Sequence, residues 1–210
     1  MNYSDVKNYS GTKFKDLKSV CVQKYGNEKG ILIYNKAEEL FQKMKDEADY
    51  RGSGVIEAHM VGNIFPVLAY YMALIDFGYS NEAAYANTLE ETQKHAIAAK
   101  IKNQKLMKIP FSFYIFKLFS KSVMRKGYPI EGWETQWVRH DSEEIHFNLK
   151  SCVYFETTRE YGHPELCTVF CANDTTSFSG YLPKIMFERS GTIAEGKEMC
   201  DFHFINTKFR

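Results

Sequence analysis

Four of the chain's five cysteines, Cys152, Cys167, Cys171 and Cys200, fall in its last third, interleaved with Asp174, Asp201, His203 and the turn Thr192-Ile193-Ala194-Glu195-Gly196. A thiolate is the strongest nucleophile a side chain offers and a carboxylate can move its proton, so this density predicts covalent or acid–base chemistry. Cys167, Cys171 and Asp174 are spaced to share one helical stripe, with Asp174 at the helix end or in the turn that follows. On the last strand Cys200 shares a face with Phe202 and Phe204, while Asp201 and His203 point to the opposite side.

Metal binding is the main rival to thiol chemistry. Cys167, Cys171, Cys200 and His203 offer the right atoms for zinc, but the C-x2-C knuckle is absent and His203 should face away from Cys200. No metal and no cofactor is therefore expected. A disulfide between Cys167 and Cys171 is disfavoured by reducing surroundings and by the geometry of adjacent helix turns.

The elements that must position these residues are read from periodicity. Asn35 with Glu38 predicts a helix start leading into Leu40, Phe41, Met44 and Ala48, ended by Arg51-Gly52-Ser53-Gly54. A helix over 56–77 is apolar nearly all round and should kink at Pro66, its richest stretch, Met60 to Ile75, being shorter than the ~20 residues a bilayer requires. Ser80 caps a long helix from Asn81 to about Leu106, and Phe111 to about Met124 forms another, its aromatic run Phe111, Phe113, Tyr114, Phe116 and Phe119 facing mostly the core. The first thirty residues, with Gly11, Gly26 and Gly30, fit either a loose arm or a short helix around Phe14 to Tyr25.

After Pro129 the period becomes two. Trp133, Thr135 and Trp137, then Ile145, Phe147 and Leu149, predict a hairpin turning at Asp141-Ser142. Helices over 151–161 and 164–172 and strands over 184–190 and 199–207 follow. The expected fold is α+β: a helical N-terminal half packed on a small antiparallel β-sheet, with two short helices inserted between its two strand pairs. One domain over 1–210 is expected, with 1–128 mostly helical and 129–210 mixed and carrying the site.

With 210 residues the chain can bury about 70% of its unfolded surface and needs no disulfide. Its net charge of +1 gives no long-range field to draw it onto nucleic acid or an acidic membrane, so the expected partner is a small-molecule substrate, in a monomer or homo-oligomer. The polar start Met1 to Lys7 lacks the apolar core of a secretory signal, which points to the cytoplasm.

The residues from Cys152 to Phe204 resemble the L-2-amino-thiazoline-4-carboxylic acid hydrolases. The shared elements are Cys152, Gly162, Glu165-Leu166, Cys171 with Asp174, the turn Thr192 to Gly196, and Cys200-Asp201-Phe202. Lys197 stands where the pattern has a second glycine, and Cys167 is additional to it. The resemblance implies hydrolytic opening of a cyclic isothiourea to N-carbamoyl-cysteine.

On that reading Cys171, Asp174, Cys200 and Asp201 are the catalytic candidates, with Cys171 the first choice for nucleophile. Glu165, Thr192, Glu195 and Gly196 line the substrate, and the backbone amides of Ala194 to Gly196 can receive an anion. Arg159, with Arg139 and Arg189 as alternatives, would hold the substrate carboxylate. Direct attack by water is the simpler variant. Two other classes stay open: a small-molecule-binding or sensory module of the vinyl-reductase-like type, and a zinc-binding structural protein.

Overall fold

The computed structural model describes residues 6 and 8–210, so the polar start, Val6 apart, lies outside the described residues. The chain divides into two compact units, Met1–Glu91 and Thr92–Arg210.

The first unit is helical. Helix α1 (Leu17–Tyr25) packs on α2 (Asn27–Glu47), which in turn packs on α4 (Phe65–Asp76). Helix α2 begins eight residues before the start predicted at Asn35, because Gly26 at φ 83° breaks α1 and lets the chain re-enter a helix at once. Gly30 is required for this packing, since a Cβ there would stand 2.3 Å from the Cys21 carbonyl oxygen. Ser53 caps the short α3 (Gly54–His59) by accepting from the Ile56 amide.

Pro66 does not kink a uniform helix. A π turn over Met60–Ile64 joins α3 to α4 and Pro66 falls in the first turn of α4, where its missing N–H is tolerated. The continuous run Gly54–Asp76 has 23 residues, with a mean hydropathy of 1.4 over its best window, so by length and composition it could cross a membrane. The stretch is thus longer than the sequence reading allowed, and 72% of that window is buried inside the protein, as in a core helix.

Helix α5 (Asn81–Leu106) starts where predicted, with the Ser80 hydroxyl accepting from the Ala83 amide, and carries the boundary between the units. Helix α6 (Ser112–Gly127) corrects one expectation: of its aromatic run Phe113 is buried, whereas Phe111, Tyr114 and Phe119 are exposed.

The second unit is built on a four-stranded antiparallel sheet in the order β1-β2-β4-β3: β1 Thr135–His140, β2 Glu144–Leu149, β3 Ile185–Glu188, β4 Cys200–Asn206. Ile145, Phe147 and Leu149 of β2 lie on the same face as Cys200, Phe202 and Phe204 of β4, and all six are buried. Phe116, Phe178 and Phe187 pack rings against Phe204. Glu144, His146, Asp201 and His203 occupy the outer face, as alternation requires.

Between the strand pairs lie α7 (Val153–Glu160) and α8 (Cys167–Phe178), the latter entered through a single 3₁₀ turn, Pro164–Leu166. Helix α8 runs past the end predicted at Ala172, so Asp174 sits inside the helix and is not a turn residue. Two side-chain bonds tie α8 to α5: Gln93 Nε2 donates to Asn173 Oδ1 at 2.8 Å, and the Thr176 hydroxyl to Gln93 Oε1 at 2.7 Å.

Candidate functional site

Cys152 precedes α7 as its N-cap residue, Cys167 and Cys171 lie one turn apart on α8, and Cys200 opens β4. All are free thiols. The Cys167 sulfur is within hydrogen-bonding reach of both Cys152 and Cys171, and the charges of Cys152 and Cys171 are felt at Cys200. Cys152, Cys167 and Cys171 thus form one thiol group with Cys167 at its centre, and Cys200 is near enough to feel its charge.

Their environments differ. A thiol has one proton to donate, and Cys167 stands between two acceptors, so its own pKa is raised by them. Cys171 is lowered from its ordinary value by Cys167, by the Thr192 hydroxyl and by the Arg189 guanidinium, against its burial and the charge of Asp174. Cys152 is also lowered, by Cys167 first and then by the amides at the start of α7. Burial pushes Cys200 up to about 12, although the Ile193 amide donates to its sulfur at 3.3 Å. Cys171 is therefore the half-buried thiol with a cation and a hydroxyl beside it, whereas Cys200 is a buried, protonated one.

Thr192 is fully buried and its hydroxyl donates to Glu195 Oε2 at 2.9 Å. That proton cannot serve Glu195 and Cys171 together. The hydroxyl donates to Glu195 while Cys171 is a thiol and can turn to Cys171 once a thiolate forms, which is the sense in which it lowers Cys171.

Arg189, placed just after β3, reaches back over α8. Its Nη2 donates to the Cys171 carbonyl oxygen at 2.8 Å, and its Nη1 stands 3.4 Å from Asp174 Oδ2. Among the three arginines considered from sequence, Arg189 is the one at the thiols. Arg159 is exposed on α7 over the Phe155 ring, and Arg139 pairs with Asp141, Glu143 and Glu144 on the outer face.

Asp201 is engaged by the backbone of the loop that follows β3. Both of its oxygens accept from the Ser190 amide at 2.9 Å, and Oδ1 also accepts from the Gly191 amide at 3.2 Å. Partial burial works against its charge, but these amides hold the carboxyl below its ordinary value. From β4 it thus ties down the loop that follows β3. The two Cys–Asp pairs therefore differ: Cys171 and Asp174 share Arg189, whereas Cys200 and Asp201 face opposite sides of one strand.

The turn expected to cradle an anion is closed on itself. The Glu195 amide donates to Thr192 O at 3.0 Å and the Gly196 amide to Ile193 O at 3.0 Å, so neither is directed at a ligand. Gly196 alone takes the left-handed conformation there, at φ 84°, and Lys197 needs none, which explains why a second glycine is dispensable. Glu165 is exposed at the entry to α8, 3.4 Å from His163.

A cleft of about 680 Å³ opens nearby, lined by Thr175, Arg189, Ser190, Glu195, Asp201 and His203 among others. Among the described residues it takes in Asp201 and Glu195 but not Cys171, Asp174 or Cys200. Arg189 belongs to both the cleft and the thiol group.

Two neighbours had no signal in the spacing. The charges of Asp174 and Cys152 bear on Tyr128 and Tyr154, whose hydroxyls burial pushes up, Tyr128 to about 12. Tyr154 packs edge-on against Phe170 at 4.8 Å, and Tyr128 against Trp133 at 5.0 Å, walling the thiols with aromatic surface.

A family model described as L-2-amino-thiazoline-4-carboxylic acid hydrolase matches residues 59–204. No curated protein and no solved structure matches the chain.

Proposed function

The chain belongs to the L-2-amino-thiazoline-4-carboxylic acid hydrolase family, and from that membership we propose that it opens a small cyclic amidine or isothiourea ring, with 2-amino-thiazoline-4-carboxylate as the reference substrate. The observation that carries this reading is the half-buried thiol Cys171, which has the Arg189 guanidinium and the Thr192–Glu195 pair beside it. Such a substrate bears a carboxylate and, when protonated, a planar N–C–N cation. Arg189 suits the first, and Glu195 suits the second, both being on the wall of the same cleft.

In the proposed reaction the Cys171 proton passes through Thr192 to Glu195, and the thiolate attacks C2 of the ring. The C2–S ring bond breaks, the ring sulfur takes a proton, and the chain is left bound to an S-linked isothiourea. Water adds to that carbon and the Cys171 thiolate leaves, giving N-carbamoyl-cysteine; the net change is addition of one water. Asp174 orients Arg189, Cys200 stays protonated as apolar support, and Asp201 fixes the loop that carries Ser190 and Gly191.

The test is direct. Purified protein given 2-amino-thiazoline-4-carboxylate should release free thiol and ureido product, and Cys171→Ala should abolish this with an unchanged circular dichroism spectrum. Product formation that survives in Cys171→Ala assigns the reaction to direct water attack. Absence of product from the intact protein, across several thiazolines and amidines, would overturn the reading; thermal stabilisation by one of them without turnover would mark a binding module.

A further inference from the structure

On the outer face of the sheet, away from the thiols, three metal-ligating side chains converge. We propose that Glu144, His146 and His203 form a binding site for one divalent first-row metal ion of the zinc class. One ligand atom from each residue lies within 4.8 Å of the others. Ligands around zinc, at ~2.0–2.1 Å each, stand about 3.4 Å apart in a tetrahedron, so side-chain rotation alone closes the set.

Strand register builds this group. His146 lies directly opposite His203, their rings stacked with centroids 4.7 Å apart, and Glu144 is two residues along on the same face as His146. Glu144 Oε2 is already 2.6 Å from His203 Nε2. A simple histidine–carboxylate pair would account for Glu144 and His203, but it leaves His146 without a role.

The carboxylate is also held from behind. A bulge in β1 between Trp137 and Arg139 shifts the register by one, which turns Arg139 onto the outer face opposite His146. Its Nη1 stands 3.3 Å from Glu144 Oε1, leaving Oε2 for an ion. Metal-bound carboxylates are characteristically fixed in this way by a second group. Arg139 also pairs with Asp141 and, at 2.6 Å, with Glu143, so one cation faces three carboxylates and the surroundings favour a further positive charge.

Two histidines and one carboxylate leave at least one coordination position for water or an added ligand. His203 lines the cleft, so that position has access to solvent. This set differs from the one weighed from sequence, because His203 is on the opposite face of β4 from Cys200.

The test is titration of the full chain with Zn²⁺ by calorimetry and with Co²⁺ by visible absorption. One ion per chain should bind, the cobalt spectrum should lack the intense near-ultraviolet band of sulfur-to-metal charge transfer, and His146→Ala and His203→Ala should each weaken binding by about 100-fold or more. Should either alanine variant unfold, His146→Gln and His203→Gln decide the matter. No binding, a thiolate charge-transfer band, or unchanged affinity in the folded histidine variants would each overturn the site.

Discussion

Arg189 binds Cys171 through its backbone, Nη2 donating to the Cys171 carbonyl at 2.8 Å, so the cation that lowers this thiol is anchored to the same residue. With only a tenth of its side chain exposed, it is shielded from the screening that makes surface charges weak.

The lowered Cys171 thiol has a measurable signature. Iodoacetamide should label Cys171 before Cys167, Cys200 and the buried Cys21, and its rate against pH should rise with a midpoint below that of an ordinary cysteine, about 8.5. The sign follows from the lowered value: more thiolate at neutral pH means faster labelling. Peptide mapping by mass spectrometry reads it.

Thr192→Val should move that midpoint upward. The variant keeps the shape of a fully buried side chain but removes the hydroxyl that links Cys171 to Glu195. Labelling at neutral pH should slow several-fold, while thermal stability falls by about 1 kcal/mol, the usual worth of one hydrogen bond. An unchanged pH profile would place Thr192 outside the proton route.

Asp201→Asn should act on stability. Its folded pKa lies below the unfolded value of about 3.9, so its contribution is complete above that pH and disappears as pH falls through the depressed folded value. Denaturant unfolding should show a loss of roughly 1–2 kcal/mol at neutral pH, allowing for partial exposure, and a narrowing gap to the native protein below pH ~4.

Two glycines near the site should respond differently to alanine. At Gly180 a Cβ would stand 2.3 Å from the Lys100 carbonyl oxygen of α5, a backbone atom that cannot swing aside, so Gly180→Ala should cost about 2 kcal/mol or more. At Gly191 the obstacle is the Lys197 side chain, 2.6 Å from the new atom at its Cγ but free to rotate. Gly191→Ala should cost less than about 1 kcal/mol. Thermal melts of the two variants provide the comparison.

Much of the fold was legible from periodicity, because strands and long helices bury one face and must repeat accordingly. The alternation in Ile145, Phe147 and Leu149 and in Cys200, Phe202 and Phe204 identified both central strands and their inner faces. What the pattern could not carry is length without a stop signal. Helix α8 continues through Asn173-Asp174-Thr175-Thr176, residues of turn-like character, because α5 supplies side-chain partners to Asn173 and Thr176.

The thiols were legible as residue types but not as a group. Cys152 and Cys167 belong to different helices, and nothing in their spacing shows that their sulfurs meet. Alternation placed Asp201 on the face of β4 opposite Cys200, but no spacing announces the Ser190 and Gly191 amides that hold its carboxylate.

That alternation along β4 makes the sheet a partition between two incompatible chemistries. Soft thiolates attract the same ions that an imidazole–carboxylate set would hold, and redox-active ones among them promote thiol oxidation. Cys200 and His203 are only three positions apart, yet a sheet lies between them. A one-residue slip of β4 would remove that insulation, turning the thiol outward toward the ion and the imidazole inward toward the core.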